Sequence, residues 1–217
     1  MTRKLFAEWL GSFLLTATVI GSGILAVEVS AGNDGVALLG NTLATAAILF
    51  VLVTTLGPVS GAHFNPAVTL AFLLRGEISP PGAINFVVVQ ILGCVMGAWF
   101  AHFMFELAIL QLAETDRSGL PKIVAESAAT FALVFAILGT LKWRPEAVPM
   151  AVGLTIAAGY WWTASTSFAN PAISIARALS DTFAGVQLSD VPGFVVGQYV
   201  GAVLAVGAAH VLFKKTD

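Results

Sequence analysis

The sequence predicts an all-α membrane protein with six transmembrane helices plus two re-entrant half-helices in an inverted 3+3 repeat. Three observations carry this. Of 217 residues, 58% are apolar and only 10% charged, far below the roughly 25% charge of soluble domains. Two half-length apolar segments each open on Asn-Pro-Ala, at Asn65-Pro66-Ala67 and Asn170-Pro171-Ala172. Matched residue sets also recur between the halves at constant offsets.

The full spans fall at 5–27, 36–59, 82–105, 123–141, 147–164 and 191–213. Each offers about the 20 residues that cross roughly 30 Å of hydrocarbon at about 1.5 Å per residue. The run after Arg3-Lys4 is too long for a signal peptide and carries Glu8, so it reads as the first span. After each Asn-Pro-Ala comes a segment about half a span long, at 67–74 and 172–179. Asparagine is a preferred N-cap and proline suits the first helical position, so half-helices are expected at about 65–75 and 170–179. Non-helical backbone at membrane depth is tolerated only where it is buried in protein or lines a water-filled cavity. The stretches 59–64 and 165–169 meet that condition, with Gly61, Ala62, His63, Thr166 and Phe168 as pore-lining backbone.

The first and fourth spans match: Ala7-Glu8, Phe13 and Gly21 correspond to Ala125-Glu126, Phe131 and Gly139, each pair 118 positions apart. In the third and sixth, Gln90, Gly93, His102 and Phe105 correspond to Gln198, Gly201, His210 and Phe213, offset by 108. These sets indicate internal duplication, with a first repeat at 1–110 and a second at 119–217 inside one domain covering 1–217. Three spans per half invert the second half, a plan that places permeation near the midplane, between the repeats. The paired glutamines and histidines read as hydrogen-bonded groups between helices.

Arg3, Lys4, Arg75, Lys142, Arg144, Lys214 and Lys215 fall on one side of six spans, which the positive-inside rule assigns to the cytoplasm. Both termini are therefore expected in the cytoplasm, in a multi-pass protein of the cell membrane, a bacterial inner membrane. The charge pattern has no basic patch for nucleic acid. No Cys/His cluster suggests a metal, no motif suggests a cofactor, and the single Cys94 has no partner.

Inversion brings the amino termini of both half-helices together at the midplane, each carrying about half a positive charge. Such a site repels cations and protons. The amides of Asn65 and Asn170 can donate to a passing oxygen, and the preceding carbonyls can accept. Small neutral, hydroxyl-bearing solutes fit that lining.

The segment Ser60-Gly61-Ala62-His63-Phe64-Asn65-Pro66-Ala67-Val68-Thr69, with Ala7-Glu8 and Ala125-Glu126, resembles the major intrinsic protein family of aquaporins and aquaglyceroporins over nearly the whole chain. The resemblance implies an aquaporin-like, right-handed six-helix bundle with two half-helices, assembled in the bilayer as a homotetramer with one pore per subunit. It also implies that Glu8 and Glu126 brace the two loops through backbone N–H groups; the general expectation for intramembrane carboxylates is instead a functional role. The family's selectivity filter maps to Thr45, Tyr160, Ser167 and Ile173, with Ala158 or Trp161 as alternatives to Tyr160. The last position is normally arginine; Ile173 removes its charge and five donors. Thr45 replaces a bulky aromatic residue, so the filter is expected to be wider and less polar, unless Thr45 and Ile173 are turned against neighbouring helices. Arg177, one turn beyond Ile173, has two readings: it lines the vestibule, or it caps the half-helix and pairs with Asp181, four residues on. Thr45, Ile173 and the following Ala-Arg resemble a bacterial aquaglyceroporin branch found with arsenic-resistance genes. That branch is associated with arsenite and methylated arsenicals.

The first functional reading is a passive channel for small neutral solutes, metalloid hydroxides included, with a general water and glycerol channel as its less specialised form. An ion-coupled secondary transporter shares inverted repeats and broken helices, and a junctional membrane protein would have a closed pore. No nucleophile, base and orienting group assemble for an enzyme.

Overall fold

A computed structural model describes residues 2–213. Lys214 and Lys215, counted above on the cytoplasmic side, lie outside the described residues. Among the described residues, eight α-helices run in the order α1 (Thr2–Val29), α2 (Asp34–Ser60), α3 (Pro66–Leu74), α4 (Pro80–Met104), α5 (Leu120–Trp143), α6 (Val148–Trp162), α7 (Pro171–Arg177) and α8 (Val191–Leu212). Five of the long helices, α1, α2, α4, α5 and α8, are long and apolar enough to cross a membrane. At 15 residues, α6 is shorter than the span expected at 147–164; a 3-10 turn at Pro145–Ala147 precedes it, and Thr163 turns extended. The second half-helix also stops early, at Arg177 rather than about 179, because the chain curls into a tight turn in which Leu179 N–H donates to Ala176 O.

Sequence explains the starts of the half-helices. Asn65 and Asn170 are both extended (φ −155°), and their side-chain oxygens accept from Ala67 N–H (2.8 Å) and Ala172 N–H (3.0 Å). Pro66 and Pro171 follow at the first helical position, where a missing N–H costs nothing.

The helices pack as two interleaved halves. Within the first repeat α1 lies against α4 and α2, and within the second α5 lies against α8 and α6. Each half-helix also reaches into the other repeat, α3 against α8 and α7 against α4, and α3 and α7 touch each other. Glycines set the closest approaches: a β-carbon at Gly93 would lie 2.4 Å from Trp9 O, and one at Gly201 2.2 Å from Ser127 O. Trp9 and Ser127 are themselves 118 positions apart, and the two glycines 108, so the same contact is built twice. Gly21 likewise faces Phe105, and Gly139 faces Phe213. Such small-residue contacts let membrane helices gain van der Waals packing where no hydrophobic driving force between them exists. Outward faces carry Ile84, Leu154, Val196 and Leu204, all exposed and apolar, as a lipid-facing surface requires.

Candidate functional site: a lined cavity between the repeats

The two loops before the half-helices hold strained backbone. Ala62 (φ 51°), Phe64 (49°), Thr166 (63°), Ser167 (54°) and Ala169 (48°) are left-handed without being glycine, at about 1–3 kcal/mol each. This backbone turns its N–H groups toward a buried glutamate behind each loop. Glu8 accepts from the N–H of His63 (3.0 Å) and Phe64 (2.8 Å), from Ser60 Oγ (2.6 Å) and from Gln90 Nε2 (2.8 Å). Glu126 accepts from the N–H of Phe168 (2.9 Å) and Ala169 (2.8 Å) and from Gln198 Nε2 (2.6 Å).

The glutamines extend both networks. Gln90 Nε2 also donates to Thr69 Oγ1 (3.1 Å), and that hydroxyl donates to Asn65 O (3.0 Å). Gln198 Nε2 reaches Ser174 Oγ (2.8 Å), which donates to Asn170 O (3.0 Å). A buried chain thus runs from each glutamate to the first turn of its half-helix. Thr69 and Ser174 were missed from sequence, although each lies four residues after its asparagine, where a hydroxyl back-bonds to the preceding turn.

Where the two half-helices meet, the loops are tied across the repeat interface. Asn65 Nδ2 donates to Ala169 O (2.7 Å) and Asn170 Nδ2 to Phe64 O (2.8 Å). An amide nitrogen has two hydrogens, so one remains on each asparagine. Both residues line a narrow cavity of ≈ 60 Å³.

The lining is mixed: loop residues Ala62, His63, Phe64, Ser167, Phe168 and Ala169 contribute to it, as do the aliphatic Leu15, Val19, Leu49, Val53, Leu133 and Ile137. Gly61 and Thr166 are not among the residues that line this cavity. Gly61 is the left-handed C-cap of α2, its N–H donating to Gly57 O, and Thr166 closes a turn onto Thr163 O.

Thr45, Tyr160, Ser167 and Ile173 all line the cavity and are buried. The hydroxyls of Thr45 and Tyr160 lie 3.2 Å apart in a hydrogen bond joining α2 to α6. Ala158 and Trp161, the alternatives to Tyr160, are exposed. Ser167 packs on Gly159, where a β-carbon would meet its Oγ at 2.4 Å.

Arg177 is 3% exposed and lines the same cavity. Its guanidinium carbon sits 3.3 Å from the centre of the Phe168 ring, and its Nε donates to Ala184 O. It makes no ion pair with Asp181 among the described residues, contrary to that expectation. The i,i+4 pairing rule needs a continuing helix, and α7 ends at Arg177. Asp181 Oδ1 instead accepts from Glu114 N–H (3.1 Å), and its own N–H donates to Gln111 Oε1 (2.8 Å).

Arg117 was given no role by the sequence. It stands 5.3 Å from the centre of the Phe168 ring and donates through Nε to Gly185 O (2.8 Å), while its backbone N–H donates to Asp190 Oδ2 (2.8 Å). Burial lowers its pKa below the ordinary arginine value.

Residues 1–160 match the family described as MIP, Major intrinsic protein. The chain is 48% identical over 214 residues to "Aquaglyceroporin AqpS" of Rhizobium meliloti (strain 1021), covering 99% of this chain and 91% of that protein. It is 30% identical to "Lens fiber major intrinsic protein" of Gallus gallus, covering 94% and 78%. The solved aquaglyceroporin of Plasmodium falciparum superposes with a TM-score of 0.77 at 17% identity, covering 98% of this chain and 96% of that one.

Proposed function

The chain belongs to the major intrinsic protein family, and from that premise we propose that it is an aquaglyceroporin whose filter lacks the usual arginine. It conducts glycerol-sized neutral molecules and metalloids such as arsenite or methylated arsenicals. The observation carrying this reading is that Thr45 and Ile173, a small hydroxyl and an aliphatic side chain, line the cavity together with Tyr160 and Ser167. A 48% identical relative that is named an aquaglyceroporin supports it. Its homotetrameric assembly and the cytoplasmic placement of both termini belong to the same proposal.

The solute path follows from the donors and acceptors. A hydroxyl entering the cavity gives up water and meets the spare N–H of Asn65 or Asn170. The aliphatic side chains of the lining offer no polar group, so the solute's hydroxyls are left to the asparagine amides and the hydroxyls of Thr45, Tyr160 and Ser167. Two helix N-termini at that level raise the potential for a cation. An undissociated metalloid hydroxide is hydroxyl-bearing and neutral, so the lining that accepts a polyol accepts it.

Uptake into proteoliposomes containing the purified protein tests this. Glycerol and arsenite should enter faster than into protein-free vesicles and stop at equilibrium, with or without a proton or sodium gradient. Accumulation above equilibrium only under a gradient would instead mark a coupled transporter.

A further inference from the structure

Arg177 is a buried cation with no carboxylate in direct contact among the described residues. No ion pair involves it among the described residues, although burying an unpaired charge is costly. Its partners are an aromatic face and one carbonyl, that of Ala184, which occupies only Nε. A guanidinium has five N–H donors, so both Nη groups lack a protein acceptor among the described residues. They are not sealed from the cavity that Arg177 lines. A second cation, Arg117, is held near the same ring by its bond to Gly185 O, adding positive potential.

We infer that Arg177, seated on Phe168 and backed by Arg117, forms a receiving site for the paired oxygens of a monoanionic oxyacid. The site lies at the mouth nearest the carboxyl end of α7. Two free Nη groups in a fixed plane match a carboxylate-type O–X–O group bidentately. Stacking on Phe168 holds that plane, and with Nε engaged the guanidinium is pre-oriented. Ile173, one turn deeper on α7, leaves an aliphatic step between this site and the asparagines, so an oxyanion is held at the mouth and, while bound, blocks it to neutral solutes. The inference rests on the channel reading for its role in permeation, but binding itself is measurable without transport.

The test replaces chloride by acetate at constant ionic strength. In detergent-solubilised protein, acetate should raise the unfolding temperature of the natural chain, because a ligand that binds only the folded state stabilises it. In proteoliposomes it should lower glycerol flux by about twofold when it half-occupies the site. Arg177→Gln should abolish the thermal shift and the inhibition, each taken relative to that variant's own chloride value. Arg177→Lys keeps the charge but loses the planar fork, so it should retain a weaker effect, and it serves if the glutamine variant does not fold. Arg117→Gln should weaken the effect without abolishing it. An acetate effect that is absent in the natural chain, or equal in the natural chain and both Arg177 variants, overturns the inference. A thermal shift without glycerol flux would instead preserve the site and reject the channel reading.

Discussion

Replacing Glu8 by alanine should destabilise the protein by on the order of 4 kcal/mol and abolish solute flux in whatever fraction still folds. Four donors converge on that carboxylate: two backbone N–H groups, a serine hydroxyl and a glutamine amide. Each buried donor left without an acceptor costs about 1–3 kcal/mol. The loop also contains left-handed Ala62 and Phe64, a conformation that persists only while its surroundings hold it. Releasing the loop removes the carbonyl of Phe64 from Asn170, so damage in one repeat crosses to the other. Glu126→Ala should cost somewhat less, because it orphans three donors rather than four. Thermal unfolding in detergent checks both; a midpoint within a degree of the parent for either variant would remove the bracing role.

Gly201→Ala and Gly93→Ala should each cost about 1–3 kcal/mol, the usual range for forcing extra volume into a packed contact. The obstacle is backbone oxygen in both cases, at 2.2 Å from Ser127 O and 2.4 Å from Trp9 O, so no side chain can swing aside. The helices must separate, and that loses the packing on which membrane helices depend. Gly207 in α8 has open space around it and is exposed. There the same change should be neutral or stabilising by up to about 1 kcal/mol, through helix propensity alone. Opposite signs from one substitution type separate close helix approach from a general intolerance of alanine. A similar loss at all three positions would contradict the account.

Much of this arrangement was legible in the sequence because it rests on local chemistry written twice. Asn-Pro suits a helix start, and the offsets of 118 and 108 paired glutamates, glutamines, glycines and phenylalanines that the fold then places in matching contacts; the histidines do not match, since His102 is buried and bonded to Ser180 while His210 is exposed. The glutamines were legible as a pair but not as partners of the glutamates, since nothing local joins Gln90 to Glu8 across 82 positions. Arg117 was invisible for the same reason, lying in a connection far from Phe168 in sequence. The Arg177–Asp181 pairing failed differently: spacing implies a shared face only while a helix lasts, and here it ends between them.

If solute choice resides at Thr45 and Ile173, returning an arginine to the second position is the most direct trial. Ile173→Arg adds a charge, five donors and side-chain length to a cavity of ≈ 60 Å³. Glycerol and water permeability should be measured in the same proteoliposomes, before and after the substitution, at equal protein content. The expected result is glycerol flux suppressed about tenfold more than water flux, equivalent to roughly 1.4 kcal/mol of added discrimination. Equal suppression of both, or none of either, would show that the filter's selectivity does not reside at Ile173.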